Sequence, residues 1–360
     1  MQVYYWVVIL VLLFSALAQH NEKVVERSDG SLIRQKTSVS NASFLVLSLI
    51  MICVAGLRYY VGTDYGAYYN GYWQAANNLL SDFYNLNEPG YGVLSLVAVW
   101  LGEDGAVAVF LASAITIGIS LFVIYRNTDR LTFAFLLYLF VGCWSASFNA
   151  VRQCLAGAFV FLGYNSLKER RFWRYCIYVV IAFLFHRSAA LMLVVYFLVH
   201  RRVSFGNILI IIIGAFVIAS ASDFVRTLTE NILIQDLEGA GTYLTTTVNT
   251  FRVLVGVAPA VFFLITLSHH EKTDDDIFHL NILIFHAAIS AVTFNSAYFA
   301  RYTIYSAPFL TIAIPELTRK YSRRNRGIIT IFILLLYLGF WLYELNHSIA
   351  LNNFRWIWER

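Results

Sequence analysis

The chain has 360 residues, of which 59% are hydrophobic and only 13% charged, with a net charge of +5. A soluble domain carries about 25% charged residues, so this chain cannot cover a globular surface with polar groups. A soluble enzyme, a nucleic-acid-binding module and a disordered protein are set aside, and a polytopic membrane protein is expected: an all-α helical bundle forming one integral membrane domain over residues 1–360.

In chain order, the apolar runs predict spans at Val3–Ala18, Phe44–Leu57, Ala106–Tyr125, Leu131–Phe148, Ala150–Leu167, Tyr175–Phe185, Ser188–Val199, Phe205–Ala221, Phe251–Ser268, Ile277–Ala297, Tyr302–Leu317 and Ile328–Leu345. That is about twelve spans, several of them shorter than the ~20 residues a straight crossing needs. The short ones are read as helices buried among neighbours or as re-entrant segments. Cys53, Cys143, Cys154 and Cys176 all fall inside apolar runs, so no disulfide framework is expected.

Positive charge sets the orientation. Basic clusters at Lys23/Arg27/Arg34/Lys36, Arg126/Arg130, Lys168/Arg170/Arg171/Arg174, Arg201/Arg202, Lys272 and Arg319/Lys320/Arg323/Arg324/Arg326 can all be cytoplasmic at once, with both termini outside. A cleaved signal peptide ending near Ala16-Leu17-Ala18 competes for the first span, but no basic segment precedes it and a basic one follows. Every Lys lies in these clusters, and the basic residues left over are all Arg: Arg58, Arg152, Arg187, Arg226, Arg252, Arg301, Arg355 and Arg360. Lys marks a solvated face, whereas Arg offers a rigid fork for phosphate or carboxylate.

Two external loops follow from this layout, residues 58–105 and 222–250. The first contains a short apolar stretch, Tyr91–Leu101, read as a re-entrant or interfacial helix, because a full crossing would put Arg126 and Arg130 outside. It reads Arg58-Tyr-Tyr-Val-Gly62-Thr63-Asp64-Tyr65-Gly-Ala-Tyr68-Tyr69-Asn-Gly-Tyr72-Trp73 and continues to Glu88-Pro89-Gly90-Tyr91. Its tyrosines suit a membrane interface, and Tyr65, Tyr68 and Tyr72 could also stack on sugar rings. An interfacial belt does not require Asp64 and Glu88, either of which could act as a general base, pair with an Arg or cap a helix.

Polar residues at membrane depth are functional candidates by default. Asn149, Arg152, Gln153 and Ala156 recur at i, i+3, i+4 and i+7 at the outer turn of a two-span hairpin, a stripe that must face protein or a wet cavity. A structural ion pair or snorkelling is the plainer reading of Arg152. Phe185-His186-Arg187-Ser188-Ala189 interrupts an apolar run at another outer turn, and Asn295-Ser-Ala-Tyr298-Phe-Ala-Arg301-Tyr302-Thr-Ile-Tyr305 marks a third. Arginines converging on one face suggest an anionic ligand, phosphate or diphosphate above all. His286 is read as buried and structural, and Asp274-Asp275-Asp276 as a solvated patch opposite the site. No HExxH, Walker A or Gly-x-Ser-x-Gly motif occurs, and neither a metal nor another cofactor is expected.

At these residues the sequence resembles the EpsG family of exopolysaccharide and O-antigen (Wzy-type) polymerases. Arg58…Gly62-Thr63-Asp64-Tyr65…Tyr68, Glu88-Pro89-Gly90-Tyr91, Asn149-x-x-Arg152-Gln153-x-Leu155-Ala156 and Phe185-His186-x-Ser188-Ala189 carry the likeness, with a looser match at Arg301-Tyr302…Tyr305. The resemblance implies a bacterial inner-membrane glycosyltransferase acting at the outer face on undecaprenyl-diphosphate-linked oligosaccharides of lipopolysaccharide, capsule or exopolysaccharide. Its layout is similar to the GT-C class, in which an acidic residue of the first external loop is catalytic, so Asp64 is the natural candidate. On this reading Asp64, Arg152 and His186 are catalytic, and Arg58, Tyr65, Tyr68, Glu88, Gln153, Arg187, Arg301 and Tyr305 bind substrate. The choice of base among Asp64, Glu88 and His186 stays open. The partners are the lipid-linked oligosaccharide and the bilayer, with a chain-length regulator protein left open and no nucleic acid. A glycan ligase using the same donor and a lipid-linked oligosaccharide flippase are the alternatives.

Overall fold

A bilayer's hydrocarbon leaves backbone polar groups no partner but each other, so a span must close its hydrogen bonds within one helix. In the computed structural model, five helices are long and apolar enough to do so: α1 (Gln2–His20), α2 (Ser38–Gly56), α5 (Ala106–Asn127), α14 (Asp274–Val292) and α16 (Arg323–His347). The structure describes residues 1–26, 32–77, 88–230, 248–292, 294 and 300–360. The other helices are α3 (Tyr65–Asn77), α4 (Pro89–Leu101), α6 (Leu131–Phe140), α7 (Cys143–Ala146), α8 (Val151–Leu162), α9 (Tyr164–Lys168), α10 (Phe172–Phe185), α11 (Leu193–Leu198), α12 (Phe205–Glu230), α13 (Thr250–Thr266), α15 (Thr303–Leu317) and α17 (Ile349–Asn352). The architecture is the expected all-α membrane bundle.

The layers follow from which helix face is apolar and where it finds a neighbour. On α1, Tyr4, Val7, Val11, Ser15 and Ala18 are buried, whereas Tyr5, Trp6, Ile9, Leu12, Leu13 and Leu17 are exposed. On α16, Ile328, Ile331, Phe332 and Leu335 form an exposed stripe at i, i+3, i+4 and i+7. Such faces suit lipid. By contrast α14 is buried almost throughout from Phe278 to Ser290 and packs on α12, α13 and α15. α6, α8 and α15 are inner helices as well, and α8 is in contact with α5, α10 and α15.

Several predicted spans are broken into shorter pieces. Gly142, at φ +91°, ends α6 in a left-handed turn that only glycine adopts readily, so the run read as Leu131–Phe148 is two helices. The turn continues to Ala150, and α8 starts at Val151. In the first external loop, α4 forms where the short apolar helix was expected, opening with Pro89, while α3 is a second helix that the tyrosine-rich sequence did not suggest. The stretch 222–250, read as a loop, begins as helix: α12 runs on to Glu230, because no Gly or Pro interrupts residues 215–230. Residues 231–247 of that stretch lie outside the described residues.

The basic segment after α1 forms an antiparallel hairpin, β1 (Lys23–Glu26) and β2 (Leu32–Gln35). Charged residues knit this end of the bundle together. Arg34 lies 3.5 Å from Asp129, which also pairs with Arg319. Lys168 pairs with Asp275 and Lys320 with Asp276, each at 2.6 Å. Asp274 and Asp275 are exposed, as a solvated patch requires, but the run also opens α14 and ties it to two basic clusters. Asp276 itself is buried.

Candidate functional site

The segment after α2 turns into α3 through Gly62, whose φ of +102° and close approach to the Phe148 carbonyl leave no room for a side chain: a Cβ would clash with that oxygen. Gly62 N–H donates to the Ala350 carbonyl at 3.0 Å, and Thr63 N–H to Asn149 Oδ1 at 2.8 Å. The backbone is thus clamped on both sides just before Asp64. Asp64 is half-buried, accepts a 3.0 Å hydrogen bond from the Thr63 hydroxyl, and makes no ion pair among the described residues.

Arg58 is where the structure departs most from expectation. It is fully buried, 0% exposed. Its guanidinium donates to the carbonyls of Ala55, Val61 (3.1 Å) and Phe148 (3.5 Å) and to Ser113 Oγ (3.1 Å), and it lies 4.6 Å from the Phe148 ring centroid. Burial pushes it down to about 10, so it stays charged at neutral pH. An arginine with its donors so engaged frames the loop and presents nothing to a ligand. Residues 355–357 add a strap: Tyr59 N–H donates to Arg355 and Ile357 N–H to the Leu57 carbonyl, and Arg360 pairs with Asp104.

Glu88, just before α4, joins two of the predicted residues. Arg152 Nη1 reaches its Oε2 at 2.7 Å and His186 Nδ1 its Oε1 at 2.5 Å. The backbone N–H of Arg187 donates to it as well. Burial raises the Glu88 carboxyl, but the His186 hydrogen bond and the charges of His186 and Arg152 outweigh that and hold it below the ordinary carboxylate value. The Arg152 guanidinium lies 5.9 Å from the ring centroids of both Tyr68 and Tyr91, within cation–π range. Its side chain remains 45% exposed, so its remaining donors can reach a ligand. Arg187 is exposed beside it.

The rest of the motif divides. Because α8 starts at Val151, Asn149 sits in the preceding turn and grips Thr63 instead of extending the helical stripe. Gln153 is buried and donates to the Arg301 carbonyl at 3.1 Å. Tyr305 is fully buried with its hydroxyl 2.7 Å from Ser188 Oγ, and Tyr65 is fully buried among Tyr59, Tyr60 and Tyr69. Gln153, Tyr65 and Tyr305 are thus packing and bracing residues, not ligand-facing ones. Asn295 to Phe299 of the third outer turn lie outside the described residues.

Arg301 is half-buried and lines a cavity of about 410 Å³ with Thr63 and Asn149. Arg252, Glu344 and Trp341, which the sequence did not single out, are also in its wall. Only the Arg252–Glu344 pair carried a signal, two charges near helix ends in apolar surroundings. His286 lines it too, buried as expected, with Nδ1 2.8 Å from Ser306 Oγ. Among the described residues no cluster of His, Cys, Asp and Glu could hold a metal ion.

What this arrangement can do is bind an anion and move a proton. The Arg152 guanidinium, the His186 imidazole and the Arg187 backbone N–H converge on one buried carboxylate, and a separate carboxylate, Asp64, follows Thr63 of the cavity wall. Against known proteins, no curated protein and no solved structure matches the chain. The model of one family, EpsG, matches residues 41–357.

Proposed function

Because the chain belongs to the EpsG family, which supports a function of the polysaccharide-polymerase type, we propose that it transfers a growing glycan from an undecaprenyl diphosphate carrier to a sugar hydroxyl of the next lipid-linked repeat unit. The transfer occurs at the outer face of a bacterial inner membrane. The observation that carries this reading is the Glu88 carboxylate holding Arg152 and His186 together.

In the reaction the acceptor oxygen bonds to the anomeric carbon, the bond from that carbon to the diphosphate oxygen breaks, and its electron pair leaves with the diphosphate. Arg152 and Arg187 stabilise the charge that develops there, with His186 beside them. Preorganised cations in a low-dielectric site are usually the largest catalytic contribution. Asp64 takes the acceptor proton, since it makes no ion pair among the described residues, whereas both oxygens of Glu88 are committed, one to the Arg152 guanidinium and one to the His186 imidazole. Glu88 is then a positioning residue, and Tyr68 shapes the arginine's setting.

The test is replacement of the gene by its Arg152→Ala form in the native host. The surface glycan should collapse from a ladder to a single repeat unit while the protein still inserts. An unchanged ladder contradicts the assignment, and full-length lipid-linked chains accumulating without surface glycan make the chain a ligase.

A further inference from the structure

The cavity beside Arg301 combines two properties that rarely coincide. It lies deep in an apolar bundle, yet its inner wall carries hydroxyls and an imidazole: Thr116, Ser120, Tyr138, His286 and Ser290. Polar groups at membrane depth are costly and mark a site by default. It reaches the surface at Thr63 and Arg252, which are exposed. The opposite end of the bundle is held by Thr128–Glu316 and Lys320–Asp276 contacts, and none of those residues lines the space. The cavity is therefore a blind pocket, not a path across.

A second observation points to a ligand. Trp341 lines the cavity and is 1% exposed, and its indole N–H has no hydrogen-bond partner among the described residues. A buried donor left unpaired is costly, and an oxygen entering the cavity would satisfy it. Three charged side chains line the cavity, Arg301 and the paired Arg252 and Glu344; deeper in, the wall of Thr116, Ser120, Tyr138 and Ser290 carries no carboxylate, lysine or arginine, so the part of a guest that reaches it is neutral. A volume of about 410 Å³ is within the usual range for small-molecule sites. An indole face flanked by hydroxyls suits a sugar ring, whose C–H face packs on the aromatic while its hydroxyls find partners.

We infer that this cavity binds the neutral terminal sugar of the acceptor repeat unit, with the Trp341 N–H donating to one of its oxygens and the reacting hydroxyl left at the Thr63–Asp64 mouth. The inference rests on the polymerase reading and names its acceptor subsite. Arg152 and His186 then face the donor diphosphate from the other side of the first turn of α8.

Saturation-transfer NMR on the detergent-purified full chain tests it, with the host's repeat-unit oligosaccharide freed of its lipid by mild acid. Wild-type protein should transfer saturation to the sugar, and an excess of inorganic pyrophosphate should not displace it. Trp341→Phe should weaken binding roughly two- to tenfold, the loss of one neutral hydrogen bond. Ala307→Leu, which fills the cavity without removing a polar group, should weaken it too and serves if Trp341→Phe fails to fold. Displacement by pyrophosphate would make the cavity a donor headgroup site and overturn the inference. Absence of transfer to the sugar overturns it as well: if wild-type membranes still extend lipid-linked repeat units, only the pocket assignment falls, and if they do not, the polymerase reading falls with it.

Discussion

The carboxylate of Glu88 meets the guanidinium of Arg152 at 2.7 Å across 64 residues of sequence, and its second oxygen holds His186. One buried acid therefore sets the geometry of a guanidinium on α8 and an imidazole just past the end of α10. Glu88→Gln should lower polymer synthesis about 10²-fold, the cost of a misplacement near 1 Å. Combined with Arg152→Ala it should add little, because residues in one network are not additive. Turnover of lipid-linked repeat units by the two single variants and the double variant checks this, and full additivity would mean that Glu88 acts elsewhere.

Arginines 58 and 152 should fail in different ways. Arg58→Ala leaves the carbonyls of Ala55, Val61 and Phe148 without their donor, at about 1–3 kcal/mol for each buried group left unpaired. It should lower the thermal unfolding temperature markedly. Arg152→Ala should lower that temperature less, because Glu88 keeps its contact with His186, and should remove activity by about 10²–10³-fold. Arg152→Lys should remain impaired, since an ammonium lacks the planar fork.

Gly62 tests how tightly the Asp64 loop must be held. A methyl group there meets the Phe148 carbonyl on a backbone of positive φ, a strain of about 1–3 kcal/mol. Gly62→Ala should therefore reduce turnover, and limited proteolysis should cut residues 58–66 faster than in the wild type.

Acid should loosen the same cluster. The Glu88 carboxyl is held below its ordinary value, so its contribution to stability is fully present above the ordinary carboxylate range and is lost as pH falls through the lowered value. The difference in unfolding temperature between wild type and Glu88→Gln should be largest near neutral pH and shrink on acidification. A difference that grows on acidification would contradict the ion-pair account.

The helical bundle was legible because hydrophobic runs are properties of local sequence. Helix breaks were less so: Gly142 stops α6 in mid-run, and nothing stops α12 before Glu230. The helical stripe read at Asn149, Arg152 and Gln153 does not hold as one face: its three residues reach three different partners, Thr63, Glu88 and the Arg301 carbonyl. Residue type does not separate an arginine that frames a loop, such as Arg58, from one that meets a ligand, because both need an apolar neighbourhood and acceptors. The cavity was invisible for a related reason: its inner hydroxyls, Thr116, Ser120, Tyr138 and Ser290, come from three helices far apart in sequence, and only packing brings them to one space.

The central claim is that this chain joins glycan repeat units through Asp64 and Arg152. The most direct measurement is extension of purified lipid-linked repeat unit by the purified protein in liposomes, with release of undecaprenyl diphosphate followed alongside. Wild type should build a ladder and release one carrier per bond formed, with Asp64→Asn slower by about 10²–10⁴-fold and Arg152→Ala by about 10²–10³-fold. Wild-type protein that moves the lipid across the bilayer without lengthening it, or an Asp64→Asn variant that builds the ladder at the wild-type rate, would contradict the account.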